Sequence, residues 1–275
     1  MTRSINIKGT LLDFSKPRVM GILNVTPDSF SDGGRYNAMD GALKHAEKMW
    51  QEGADILDIG GYSSRPGAAD VSVQEELDRT ISVIEKLMAE FSPIISIDTF
   101  RSKVAEEAVK TGAAIVNDIS AGDDDERMIA TVASLKVPYI AMHKKGKPQT
   151  MQQNPTYENV VSEVVDYLLA KKHKCLEAGI IDFVIDPGFG FGKTREHNFE
   201  LLKHFSQLQL LNVPILAGVS RKSMIWKTLE IKPDEASNGT TFLHAFALQG
   251  GANILRVHDV AEAVQCVKLW QKLKY

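Results

Sequence analysis

The eight residues from Asp186 to Lys193, Asp-Pro-Gly-Phe-Gly-Phe-Gly-Lys, combine a carboxylate, an ammonium and three closely spaced glycines. Such a stretch could cradle a phosphate on backbone N–H groups. Neither standard pattern fits, because a P-loop requires Gly where Pro187 stands and a dinucleotide fingerprint requires its third glycine where Lys193 stands. What remains is an apolar run, Phe183-Val184-Ile185, that delivers Asp186 to a tight turn; Lys193 receives no role. Arg256 and His258 lie two apart on another β-rich run, so they project to one side, and both can be cationic donors. Together they form an anion clamp. Asn24, at the end of the first such run, offers an amide oxygen to a Mg²⁺ that itself rides on phosphate oxygens.

A second group of residues is acidic. Asp98, Asp186 and Asp118 need hydrogen-bond donors, and an aminopyrimidine-like ring edge supplies two side by side. Lys222 and Asn117 complete such a ring pocket. Phe30 and Phe191 are candidates to stack on a flat ligand, with core packing as the alternative for each. Asp28 and Asp32 belong to a loop ending in Gly33-Gly34, which reads either as a mobile lid or as an exposed turn.

For these scattered residues to meet, a regular scaffold must carry them. Eight short β-rich runs are visible: Val19 to Val25, Ile56 to Ile59, Ile94 to Asp98, Ala114 to Asn117, Tyr139 to His143, Phe183 to Asp186, Ile215 to Val219 and Ile254 to His258. Helical periodicity separates them. Val73, Leu77, Ile81, Ile84 and Leu87 mark one face of a 3.6-residue repeat, and Ser72-Val73-Gln74-Glu75 before it matches a capping box. Val104 and Ala108 are followed by Gly112 past a last turn, and Val260, Val264, Val267 and Trp270 follow a possible N-cap at Asp259. Eight strand-helix repeats in a chain of this length predict an α/β fold, a (β/α)₈ TIM barrel, with a doubly wound open sheet as the alternative. Residues 1–16, alternating around Gly9, read as a short N-terminal β-hairpin decorating a single domain of residues 1–275. A barrel places its active site at the C-terminal strand ends, and nearly every run here closes on polar residues.

Composition narrows the class further. The chain has 275 residues, is 44% hydrophobic and 24% charged, and carries a net charge of −3, so no global field favours nucleic acid and any anion must be met by local charge. The one basic cluster, Lys144-Lys145-Gly146-Lys147, reads as a solvated loop. Cys175 and Cys266 have neither metal-ligand nor disulfide-framework spacing and read as reduced core thiols. Without a signal-like segment or an apolar run long enough to span a bilayer, the expectation is a soluble, cytoplasmic protein with no membrane partner.

Seven segments, each at a marked strand end, resemble one family: Gly21 to Gly34 (GILNVTPDSFSDGG), Gly60 to Gly67 (GGYSSRPG), Ser96 to Thr99 (SIDT), Asn117 to Ser120 (NDIS), Asp186 to Lys193 (DPGFGFGK), Ser220 to Ser223 (SRKS) and Arg256-Val257-His258. The family is the dihydropteroate synthases. The resemblance implies a transferase that joins a pterin diphosphate to 4-aminobenzoate, through loss of diphosphate to a pterin methyl cation and attack of the arylamine. It implies that Asp98, Asn117, Asp186 and Lys222 hold the pterin. Asn24, Ser64, Arg256 and His258 would bind the diphosphate, with Mg²⁺ on Asn24, and Phe30, Ser64, Arg65, Pro66, Phe191 and Ser223 would shape the 4-aminobenzoate pocket. Asp98, Lys222 and Arg65 would be the catalytic residues, and the protein would be a homodimer and a sulfonamide target. Two positions depart from the common pattern of the second loop: Tyr62 stands where an acid is expected, and Ser64 where threonine is expected. A methyltransferase barrel with a similar pterin site is the nearest rival, but it has no use for a diphosphate clamp.

Overall fold

The computed structural model describes residues 4–25, 34–62, 71–146 and 150–273, the side chains of 34–38 excepted. Two antiparallel strands, β1 (Ser4–Ile7) and β2 (Thr10–Asp13), form the hairpin. Eight parallel strands follow: β3 (Arg18–Asn24), β4 (Ile56–Gly60), β5 (Ile95–Asp98), β6 (Ile115–Asp118), β7 (Tyr139–Met142), β8 (Phe183–Asp186), β9 (Leu216–Ala217) and β10 (Ile254–Val257). They pair in the order β8-β7-β6-β5-β4-β3-β10-β9, and a parallel bridge between Ile185 and Ile215 joins the two ends into a closed barrel.

The helices between the strands are α1 (Gly34–Gln51), α2 (Val73–Glu90), α3 (Ser102–Thr111), α4 (Met128–Leu135), α5 (Val160–Glu177) and α6 (Arg195–Lys203); α9 (Val260–Leu273) closes the chain. The seventh strand is followed by two helices instead of one, the short α7 (Ser223–Leu229) and then α8 (Ser237–Gln249). At the start of α2 the capping box forms as expected: Glu75 N donates to Ser72 Oγ at 3.2 Å and Ser72 N donates to Glu75 Oε2 at 2.8 Å. Of the periodic face, Ile84 and Leu87 are buried, whereas Val73 in the first turn is exposed. The Asp259 carboxylate, expected as the N-cap of α9, has another partner. It takes Arg221, accepting from Nε at 3.0 Å and Nη2 at 2.5 Å.

Period-two alternation along the strands sorts residues into two cores. Leu57, Ile59, Ile97, Val116, Ala141, Ile185, Leu255 and Val257 belong to the larger cluster, which packs strands against helices. Met20, Ile56, Ile115, Ile140, Val184, Leu216 and Ile254 belong to a second cluster inside the barrel. Ile5, Ile7 and Phe14 of the hairpin region join that inner cluster, so the hairpin plugs the N-terminal end of the barrel rather than decorating it. Burial of Ile5 and Ile7 contributes about 1.5–3 kcal/mol each relative to exposure.

A candidate active site at the barrel mouth

On four of the strands, the face that carries an inner apolar residue turns polar two residues further on. Ile56 is followed by Asp58, Ile115 by Asn117, Val184 by Asp186, and Ile254 by Arg256 and then His258. One cavity at the C-terminal end of the strands is lined by Asp98, Asn117, Asp186, Lys222 and Arg256, with Ile119, Met142, Phe189, Phe191 and Gly218 as its apolar walls. Residues from six strands or the loops after them thus converge on one space.

Arg256 ties the site together. Its Nε donates to Asp58 Oδ2 at 2.6 Å and its Nη2 to Asp98 Oδ2 at 2.5 Å. Asn117 Nδ2 also donates to Asp58 Oδ2, at 3.0 Å. Burial pushes the Asp98 carboxyl up to about 7; the Arg256 guanidinium opposes that, and the charges of Asp58, Glu76 and Asp118 add to it. Asp186 is likewise raised by burial, while its Oδ1 accepts from Gly188 N at 2.7 Å. Lys222 is lowered to about 8 by burial and by Arg256, with Asp186 and Asp98 opposing, and its Nζ lies 4.4 Å from the centre of the Phe191 ring.

His258 was expected as a cationic half of the clamp, but its environment keeps it neutral. Burial and the nearby Arg256, Arg221 and Lys222 lower its pKa to about 3. The backbone N–H of His258 donates to Ser220 Oγ at 3.1 Å, and the Ser220 hydroxyl, 3.0 Å from His258 Nδ1, can donate to that nitrogen. In that arrangement the neutral ring carries its proton on Nε2, where it can donate. Arg256, the other half, has two of its donors engaged by the acids of the ring pocket.

Asp118 does not face the cavity. Its carboxylate is fully buried and accepts from Ser120 N and Oγ, Gly122 N and Tyr139 Oη at 2.6–2.7 Å, which organises the loop after β6. Lys144 is no solvated lysine either, since it pairs with Asp124 and its side chain is only 6% exposed. Phe30, Ser64, Arg65 and Pro66, with Asp28 and Asp32, lie outside the described residues. Ser223 opens α7 directly after Lys222. Asn24 ends β3 beside the mouth, and its side chain makes no hydrogen bond within the described residues.

The glycine stretch packs closely against neighbouring backbone. Gly188, Gly190 and Gly192 all have φ between 63° and 81°, a region that favours glycine. A Cβ on Gly188 would lie 1.9 Å from His143 O, and one on Gly192 would lie 2.1 Å from Lys145 O. Two of the three therefore pack against the loop after β7. Lys193 fastens the same contact from inside: its Nζ is 2.8 Å from His143 Nδ1 and donates to Gly188 O at 2.9 Å and Phe191 O at 3.2 Å. Burial lowers Lys193 to about 7, and burial with Lys193 alongside lowers His143 to about 2, so the imidazole is neutral and accepts at Nδ1. Tyr157 Oη adds a bond to Gly192 O at 2.8 Å.

Tyr62, the departure in the second loop, packs edge-on against Phe100 with ring centroids 5.0 Å apart, and the Arg101 guanidinium lies 5.4 Å from its ring centre. Arg101 also pairs with buried Glu76 at 2.8 Å, and Thr99 donates to that same carboxylate at 2.6 Å. Arg101 thus sits between the Tyr62 ring and the buried Glu76 carboxylate.

The family model for pterin binding enzymes matches residues 20–258. The chain belongs to the pterin binding enzymes. Within them its similarity is to dihydropteroate synthases. It is 46% identical over 264 residues to the dihydropteroate synthase of Escherichia coli (strain K12), covering 95% of this chain and 93% of that one. Among solved structures, Xanthomonas albilineans dihydropteroate synthase with 4-aminobenzoic acid superposes with a TM-score of 0.93 at 42% identity, covering 100% of this chain and 99% of that one. Yersinia pestis dihydropteroate synthase in a sulfonamide drug complex gives 0.93 at 41% identity, with 98% and 99% covered.

Proposed function

We propose that this chain condenses 6-hydroxymethyl-7,8-dihydropterin diphosphate with 4-aminobenzoate to give 7,8-dihydropteroate and diphosphate. The observation that carries the reading is the convergence of Asp98, Asn117, Asp186, Lys222 and Arg256 on one cavity, in a chain so similar to enzymes of that activity. Asp186 and Asn117 present acceptors to the ring's N–H groups, and Lys222 donates to a ring acceptor. The C–O bond to the diphosphate breaks with its electron pair leaving on oxygen. The positive charge that develops on the pterin methylene faces Asp98, and fixed charge at such a point is a leading source of rate enhancement. The arylamine nitrogen then forms the C–N bond and gives up a proton. The diphosphate is met by Arg256 and by the neutral Nε2–H of His258, and the side of the site that receives 4-aminobenzoate includes Phe191 and Ser223. Asp98 titrating near 7 and Lys222 near 8 suit a site that needs the carboxylate ionised and the ammonium protonated around neutral pH.

A magnesium ion fits the donor set through the Asn24 amide. Among the described residues no cluster of three or more His, Cys, Asp or Glu could hold a metal. The oxygen-only chemistry of Mg²⁺ suits the Asn24 amide oxygen together with substrate phosphate oxygens. Bound there, the ion would neutralise charge on the departing diphosphate. The same proposal includes a homodimer, supported by the exposed Phe242 (63%), Phe246 (53%), Leu269 (69%) and Leu273 (87%) on the adjacent helices α8 and α9. A cytoplasmic location belongs to it as well; among the described residues no helix is long and apolar enough to cross a membrane, and Cys175 and Cys266 are free thiols.

Purified protein supplied with Mg²⁺, the pterin diphosphate and 4-aminobenzoate is expected to release diphosphate and form dihydropteroate in equal amounts, and chelation is expected to stop both. Absence of dihydropteroate under these conditions would sink the reading. A rate indifferent to chelator would remove the metal from it.

A further inference from the structure

Asp58 has no exposed surface, and a carboxylate so placed costs several kcal/mol unless donors compensate. It has two donors, Arg256 Nε at 2.6 Å and Asn117 Nδ2 at 3.0 Å, and both reach Oδ2. Among the described residues its Oδ1 has no hydrogen-bond partner. A carboxylate retained for the fold alone would be bonded through both oxygens, as Asp118 is. Both donors to Asp58 instead come from side chains that line the cavity.

We propose that Asp58 is a positioning residue that sets what the pocket can read, by fixing the orientation of the Asn117 amide and the plane of the Arg256 guanidinium. The assignment rests on the pterin reading given above and deepens it. A carboxylate only accepts, so the Asn117 amide must turn its NH₂ group down to Asp58, which settles an orientation that an isolated amide leaves open. One N–H and the Oδ1 of Asn117 then remain for the cavity in a fixed order, a donor beside an acceptor. A ring edge that carries a nitrogen acceptor next to an exocyclic amine matches that order. A ring with a carbonyl in place of the amine sets acceptor against acceptor. Arg256, held at Nε by Asp58 and at Nη2 by Asp98, is fixed in the same step.

Asp58→Asn keeps the size of the side chain, but its amide can either accept from or donate to Asn117, so the order is no longer imposed. The test is calorimetric binding of 6-hydroxymethylpterin and of its 2-oxo analogue, in which the amine is replaced by a carbonyl, to native and variant protein. Native protein is expected to prefer the amino ring, and the variant to lose at least about tenfold of that preference, the effect of one misdirected hydrogen bond. A weakening equal for both rings, as a merely structural role would give, overturns the assignment; so do unchanged affinities, or a native protein with no preference between the rings. Native protein that binds neither ring overturns the pterin reading itself, and the two failures are told apart. If the variant does not fold, a neutron structure of native protein with the pterin decides: an Asn117 NH₂ group pointing away from Asp58 overturns the proposal.

Discussion

Replacing Arg256 by methionine is expected to lower stability by about 3–5 kcal/mol, the range for removing one partner of a buried ion pair. Asp58, with no exposed surface, and Asp98 would then lose the cation that bonds to both. Binding should suffer with stability. Because two donors of the guanidinium hold acids at the ring pocket, affinity for hydroxymethylpterin is expected to fall about tenfold and affinity for its diphosphate further, to about 100-fold, where a contact to the anion is also lost. Unchanged affinity for both ligands, measured by calorimetry, would take Arg256 out of the site.

The same substitution carries a pH signature. Asp98 is raised to about 7 by burial, and Arg256 is the main influence pulling it back. A carboxylate that loses an adjacent cation holds its proton to higher pH, so the acidic limb of kcat/KM is expected to move upward. A limb that stays in place or moves down would mean that another acid governs it.

Asp186→Asn is expected to separate binding from stability. The asparagine Oδ1 can still accept from Gly188 N, which bonds to Asp186 at 2.7 Å, and a carboxylate whose pKa is raised by burial is replaced by a neutral group. The melting temperature should therefore stay level or rise. The remaining amide N–H group, however, would face ring donors in place of an acceptor. Each hydrogen bond to a charged group is worth about 1.5–3 kcal/mol, so the dissociation constant for the pterin should rise about 100-fold or more. A native-like dissociation constant would mean that another residue reads the ring.

Much of this architecture is legible in the chain itself. All eight β-rich runs are strands, because short β-branched runs bounded by turns and separated by helical periodicity leave few other solutions. Period two also explains which strand-end residues meet. Asn117 and Asp118 are neighbours on one strand, so only one of them can face the barrel interior, and the inward position of Ile115 selects Asn117. Applied strictly, that rule would have excluded Asp118 and admitted Asp58, two residues after Ile56. Other features could not be read. The acceptors around Lys193 are three backbone carbonyls and one ring nitrogen, and sequence does not show where carbonyls point. His258 can be charged by type, but burial among three cations decides that it is not. Tyr62 breaks a family pattern, and only the placement of Arg101 and Phe100 around it shows how an aromatic ring can take that position.

The glycine stretch over Asp186 has a consequence for how this protein can vary. A side chain at Gly188 or Gly192 is excluded twice, by a positive φ and by a carbonyl oxygen about 2 Å away, and Gly190 has the Lys222 side chain 3.3 Å from where its Cβ would lie. At Gly188 and Gly192 the contact is backbone against backbone, which no single base change can trim. Under selection by a compound that fills the ring pocket, Gly188 and Gly192 are closed to nearly every substitution that would leave a folded enzyme. Inherited escape would have to arise in the side chains around these two glycines.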